Sequence, residues 1–189
     1  MKRIIICLFL VFCLCAGLSA FSWSPSADLA GGVAFFVPTV EELKGNGSFR
    51  TSAFGAIDLN LVRFSAGSFD FGGGFSAAYV SKSNVYGHNI MKAYYQLGGG
   101  AGLSYRFTDV FSLGLFGRLM VATLRPVGVD QFAAIEAELQ PSYTIVNNSR
   151  GNVGVFMPVT AAFRKDGITF RTGLGIHLAL DVRFKGGAE

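Results

Sequence analysis

The sequence predicts an all-β fold: an eight-stranded antiparallel up-and-down barrel that crosses a membrane. Three observations carry this. The 189 residues are 51% hydrophobic and only 15% charged, with 25 glycines and 19 phenylalanines. Ordinary soluble domains carry roughly 25% charged residues, and helical bundles favour Ala, Glu, Leu and Lys. Beyond the first twenty residues no apolar run approaches the ~18 residues of a membrane helix. Alternation of fat with small or polar residues, the period of a strand, recurs eight times instead. The same composition excludes a disordered tail, which needs low hydrophobicity and high charge.

The N-terminus is read separately. Met1-Lys2-Arg3 is basic, Ile4 to Leu18 is apolar, and Ser19-Ala20 is small; these are the parts of a secretory signal. As a helix, Ile4 to Leu18 would reach about 22 Å, short of the ~30 Å hydrocarbon core. Residues 1–20 are therefore expected to be a cleaved signal peptide, 21–184 the barrel and 185–189 a short tail. Cys13 and Cys15 follow Phe12 and Leu14, where a lipoprotein signal would set a small residue. All three cysteines (Cys7, Cys13, Cys15) leave with the signal, which excludes a disulfide framework, a thiol nucleophile and a zinc–thiolate site. Net charge falls from +4 (16 basic, 12 acidic) to +2, because Lys2 and Arg3 are lost. No Lys/Arg cluster remains, so no nucleic acid partner is expected.

The first strand, near Leu29 to Val37, is the weakest, since both its parities are apolar or glycine. Then Ile57, Leu59 and Leu61 alternate with Asp58 and Asn60. Phe69, Phe71, Phe75 and Tyr79 alternate with Asp70, Gly72, Gly74 and Ser76. Leu97, Ala101, Leu103 and Tyr105 alternate with Gln96, Gly100, Ser104 and Arg106. Phe111, Leu113, Leu115 and Leu119 alternate with Ser112, Gly114 and Arg118. Ile135, Ala137, Leu139 and Tyr143 alternate with Glu136, Glu138, Gln140 and Ser142. Val153, Val155, Met157 and Phe163 alternate with Gly154, Thr160 and Arg164. In the eighth, Ile168, Phe170, Leu174, Ile176, Leu178, Leu180, Val182 and Phe184 oppose Arg171, His177, Asp181 and Arg183. Turn residues fall between the segments, with longer connections at 38–48, 81–91 and 125–131 and a tight one at 165–167. These four are expected to share one rim and face outward from the cell.

A soluble barrel fills its interior with hydrocarbon and carries charge outside. Here the charged parity also holds the glycines and serines, while the other is almost pure hydrocarbon and aromatic. A lipid-facing exterior around a polar lumen explains both. On the signal and these eight segments the chain resembles the small eight-stranded outer-membrane barrels, the family of the OmpA transmembrane domain, OmpX and OmpW. The resemblance implies an outer-membrane location, lipid and the barrel assembly machinery with its periplasmic chaperones as partners, and Phe184 as part of the C-terminal assembly signal. The tail after Phe184 departs from the family, whose closing aromatic is normally last.

The inward parity places Asp58, Asp70, Glu136, Glu138 and Asp181 with Arg106, Arg118, Arg171, Arg183 and His177. Internal ion pairs are the expected result, Arg118 with Glu138 above all: a connection centred near residue 128 sets these two opposite each other, with Glu136 able to share the guanidinium. Gly72 and Gly74 should face Gly102 and Gly100, forming with Gly98 an inward strip that makes room for bulky groups such as Arg171 or His177. No spacing of His, Asp and Glu suggests a metal, and no cofactor or catalytic residue is assigned. His177 and Asp181, about 13 Å apart along a strand, are too distant to pair in a hydrolytic triad with Ser104 or Ser112. Three roles stay open: a structural, surface-interaction or narrow-permeability protein; a channel for small apolar solutes, for which inward Phe116, Met120 and Phe156 are the hints; and a lipid-modifying enzyme. A host or surface ligand cannot be named from sequence.

Overall fold

The computed structural model describes residues 24–39, 50–81, 83–85, 88–91, 93–124, 131–148, 150–165 and 167–180, and these are strands and their turns. Residues 1–20, expected to be a signal peptide, and Asp181, Arg183, Phe184 and the tail lie outside the described residues. In chain order the strands are β1 (Ser26–Pro38), β2 (Arg50–Ala66), β3 (Phe69–Val80), β4 (Ser83–Val85), β5 (His88–Met91), β6 (Tyr94–Arg106), β7 (Phe111–Leu124), β8 (Gln131–Asn148), β9 (Gly151–Phe156), β10 (Val159–Arg164) and β11 (Gly167–Leu180). β4 and β5 form a small separate hairpin within the connection 81–93. β9 and β10 together make one wall strand between β8 and β11, so the wall has eight. β1 pairs antiparallel with β11 from Ser26–Ala179 to Pro38–Gly167, closing the sheet on itself. Closure leaves no unpaired edge, which is what hydrocarbon surroundings demand of a backbone.

Side chains sort by parity. Leu97, Leu119 and Leu174 on the outer face are 66%, 70% and 74% exposed, while inward Gln96, Glu136 and Thr169 are at most 1% exposed. Apolar exposure all round a barrel is stable in lipid and a liability in water. Two bulges interrupt the alternation, one between Asn60 and Val62 and one between Thr144 and Val146. Each leaves two consecutive apolar residues exposed, Leu61 with Val62 and Ile145 with Val146. The first bulge also shifts parity, which turns Arg63 inward.

Aromatic rings band both ends. Phe69–Tyr105 and Tyr105–Phe107 pack at 4.9 Å and Phe107–Phe111 at 5.6 Å near the short turns, and Tyr79–Tyr95 at 4.9 Å near the long connections. Ten residues of β6 separate Tyr95 from Tyr105, roughly 34 Å along the strand and about 25 Å along the axis at the usual tilt. That matches the apolar band of an outer-membrane barrel. Gly67, at φ 61°, supplies the left-handed residue of the β2–β3 turn.

Two expectations are corrected. The seventh segment is not continuous: Pro158 has no N–H for the ladder and breaks it into β9 and β10, although Met157 still donates to the Pro141 carbonyl at 3.0 Å. The first strand does alternate, with Ala34 and Phe36 buried and Leu29 and Val33 exposed.

Leu119 and Ile135, directly opposed on β7 and β8, face outward near mid-strand. Arginine at either should cost roughly 2–4 kcal/mol, and at inward Ser112 much less. Urea unfolding in lipid vesicles measures this, and equal costs on both faces would contradict the lipid-facing assignment.

Candidate functional site

The lumen has three layers. In the middle layer, Arg118 on β7 donates to both oxygens of Glu138 on β8, at 2.9 and 3.1 Å, and to Asp58 on β2 at 3.2 Å. Thr160 on β10 donates to the same Glu138 carboxylate at 2.8 Å. Arg171 on β11 donates to Glu136 at 2.6 Å and across the lumen to the Gln96 carbonyl on β6 at 3.0 Å. Arg118, Arg171, Glu136, Glu138 and Asp58 are all buried. Ions this far from water persist only when paired, and removing one partner costs more than the pair contributes.

The register that produces these contacts differs from expectation. Arg118 lies directly opposite Glu136, and Phe116 opposite Glu138, two residues away from the turn-centred estimate. The Arg118–Glu138 contact is therefore diagonal, within reach of a long side chain. Glu136 does not hydrogen-bond Arg118; one of its oxygens accepts from Arg171 instead. Opposed positions on β7 and β8 sum to 254 rather than 256, so counting outward from residue 128 misplaces the ladder by two.

The glycine strip also works differently. Gly72 lies opposite Gly102 and Gly74 opposite Gly100. Along β6 the space beside these glycines is taken by neighbouring β7, and beside Gly74 by the β2 backbone. A Cβ at Gly102 would overlap the Phe116 ring, one at Gly100 would crowd the Arg118 stem, and one at Gly98 would meet the Met120 sulfur. Side chains in a closed narrow lumen cannot all stand upright, and three of them lie down along the adjacent strand.

Toward the long connections the lumen is apolar: Ala34, Phe36, Phe54, Val80, Tyr94 and Ala122 pack together, with Val80 and Ala122 fully buried. The Arg164 guanidinium lies 5.1 Å from the Phe36 ring and 5.3 Å from the Tyr94 ring, and Arg171 lies 5.7 Å from Phe54. Phe116, Met120 and Phe156 do point inward and pack against Gly102, Gly98 and Gly175, and Phe156 and Phe116 each border one small cavity. Cavities along the middle lumen measure about 10 and 40 Å³, the first with room for about one water.

Toward the short turns the lumen opens into a polar vestibule of about 400 Å³. Asp70 accepts from Arg63 at 2.9 Å and from Ser65, and meets Arg106 Nε at 3.3 Å. His177 Nδ1 pairs with Asp28 across the β1–β11 seam, and Asn60 donates to the other Asp28 oxygen at 3.3 Å. Asp181, the partner weighed from sequence, lies outside the described residues. Among the described residues no serine hydroxyl is hydrogen-bonded to His177.

Sequence reading missed Asp28, Arg63 and the apolar seal. Asp28 precedes the segment whose alternation was recognised. Arg63 falls on the outward parity unless a bulge intervenes, and Leu61-Val62 was the available signal. Phe36 stood in a strand whose faces could not be told apart.

The fold is that of the small eight-stranded outer-membrane barrels. Among solved structures it is similar to Neisserial surface protein A, known from a crystal structure: 12% identity over 82% of this chain and 96% of that one, with a TM-score of 0.53. At that identity the likeness is one of fold. No protein-family model matches the sequence, and no curated protein matches it either.

Glu138→Gln leaves Arg118 with Asp58 alone as its close carboxylate. It should lower unfolding stability by about 3 kcal/mol, read as a shifted urea midpoint with unchanged slope. A wild-type midpoint would show that the pair does not brace the lumen.

Proposed function

We propose that the protein is an integral outer-membrane barrel, exported by a cleaved signal at residues 1–20 and inserted by the barrel assembly machinery. Its role is structural or surface-interacting, and its resting lumen conducts little. The observation that carries this reading is the filled lumen, in which the Arg118 and Arg171 networks lie beneath the Phe36–Phe54–Val80–Tyr94 seal. The fold likeness to a protein titled a surface protein fits an outer-membrane setting. A route for apolar solutes would need a continuous apolar cavity, and the described middle lumen offers only small ones whose lining mixes charged and apolar side chains. We assign no catalytic role: His177 has a carboxylate partner but no hydroxyl nucleophile bonded to it among the described residues.

In this orientation the termini face the periplasm and the long connections face outward. Cysteine placed at Asn89 should label in intact cells and cysteine at Asn148 should not; the reverse pattern overturns the orientation. In planar bilayers the wild type should show rare, small openings, and Glu138→Gln should show more. Steady wild-type conductance, or uptake of small apolar solutes by loaded vesicles, would overturn the sealed-lumen reading.

A further inference from the structure

The vestibule at the short-turn end holds a charge arrangement that the barrel's closure does not require. Arg63 and Arg106 reach the same oxygen of Asp70, at 2.9 and 3.3 Å, from strands on either side of it. Ser65 donates to the other oxygen, so both oxygens of this carboxylate are engaged. Arg106 spends one further N–H on the Gly67 carbonyl, at 2.6 Å. Among the described residues no second carboxylate lies within ion-pair distance of either guanidinium. Two cations thus share one buried anion, leaving a local positive charge on the Arg63–Asp70–Arg106 cluster and uncommitted N–H donors beside a cavity of about 400 Å³. The facing wall carries Thr144, Asn147 and Asn152, which are neutral groups able to donate, and Ser142, whose hydroxyl donates to the Gln140 carbonyl at 3.4 Å. His177 is balanced by Asp28, and Asp109, on the exposed β6–β7 turn, is the remaining carboxylate at the rim.

We infer that this vestibule is an anion site that takes a phosphate group, held by Arg63 and Arg106 from one wall and by hydroxyl and amide donors from the other. Guanidinium N–H pairs match the oxygens of phosphate in spacing and charge. Two sources share that chemistry. Arg106 stands between Tyr105 and Phe107, which belong to the aromatic band, so the rim lies at headgroup depth; a lipid phosphate can enter from the side, and a free phosphate from the aqueous mouth.

The test is titration of inorganic phosphate into the refolded barrel in a phosphate-free maltoside detergent, followed by calorimetry. Wild type should bind at one saturable site. Arg106→Gln, at a half-exposed position that leaves the fold intact by circular dichroism, should weaken binding about tenfold or more. Asp70→Asn, which removes the competing carboxylate, should tighten it. Repeating the titration in phosphatidylglycerol bilayers separates the sources: weaker apparent affinity there identifies the lipid headgroup as occupant, and unchanged affinity identifies the free anion, either result supporting the site. Absence of saturable binding by the wild type, or wild-type affinity in Arg106→Gln, overturns it.

Discussion

Every other feature of this molecule follows from one requirement: in hydrocarbon, no backbone N–H or C=O can be left without a partner. The pairing of β1 with β11 over Ser26–Ala179 to Pro38–Gly167 meets it by joining the ends of the sheet. Once the sheet is closed, each strand has one face in lipid and one in a narrow lumen, and the period-two pattern becomes obligatory. Irregularities are confined accordingly. Pro158 forfeits a donor in a wall that is otherwise continuous, and the two bulges lie toward the short turns, at Asn60/Val62 and Thr144/Val146.

The lumen chemistry is a consequence of that closure. Charges excluded from the outer face must go inward, where water is scarce, and each then needs a partner. Arg118 ties β7 to β8 and β2, and Arg171 ties β11 to β8 and β6. Apart from β7–β8, these contacts brace strands that share no ladder. Where the lumen widens toward the short turns, the pairing rule relaxes: Asp70 serves two arginines, and His177 is partly exposed. Where it meets the long connections, aromatic and aliphatic packing replaces charge.

Much of the fold was legible because alternation, turn residues and composition all pointed to one architecture. Inward placement of Asp58, Asp70, Arg106, Glu136, Glu138, Arg171 and His177 followed from parity alone. Partners were harder, since they depend on register, and register is set by loop geometry that composition does not encode. A shift of two residues between β7 and β8 kept every side chain on its face yet exchanged the residue opposite Arg118. Contacts across the closing seam, such as His177 with Asp28, join positions 149 residues apart and leave no local trace. The bulge that turns Arg63 inward defeats strict alternation by construction.

The central claim is the seam and its register, and one measurement tests it directly. Leu180 N donates to the Pro25 carbonyl, so the adjacent pair Ser26–Ala179 is a closely spaced, non-hydrogen-bonded pair with both residues buried inward. In a chain lacking residues 1–20, and so free of native cysteine, Ser26→Cys with Ala179→Cys should form a disulfide spontaneously on refolding into lipid. Ser24→Cys with Ala179→Cys, offset by two residues, should not. Efficient cross-linking of the offset pair, or none in the registered one, would contradict a barrel closed in this register.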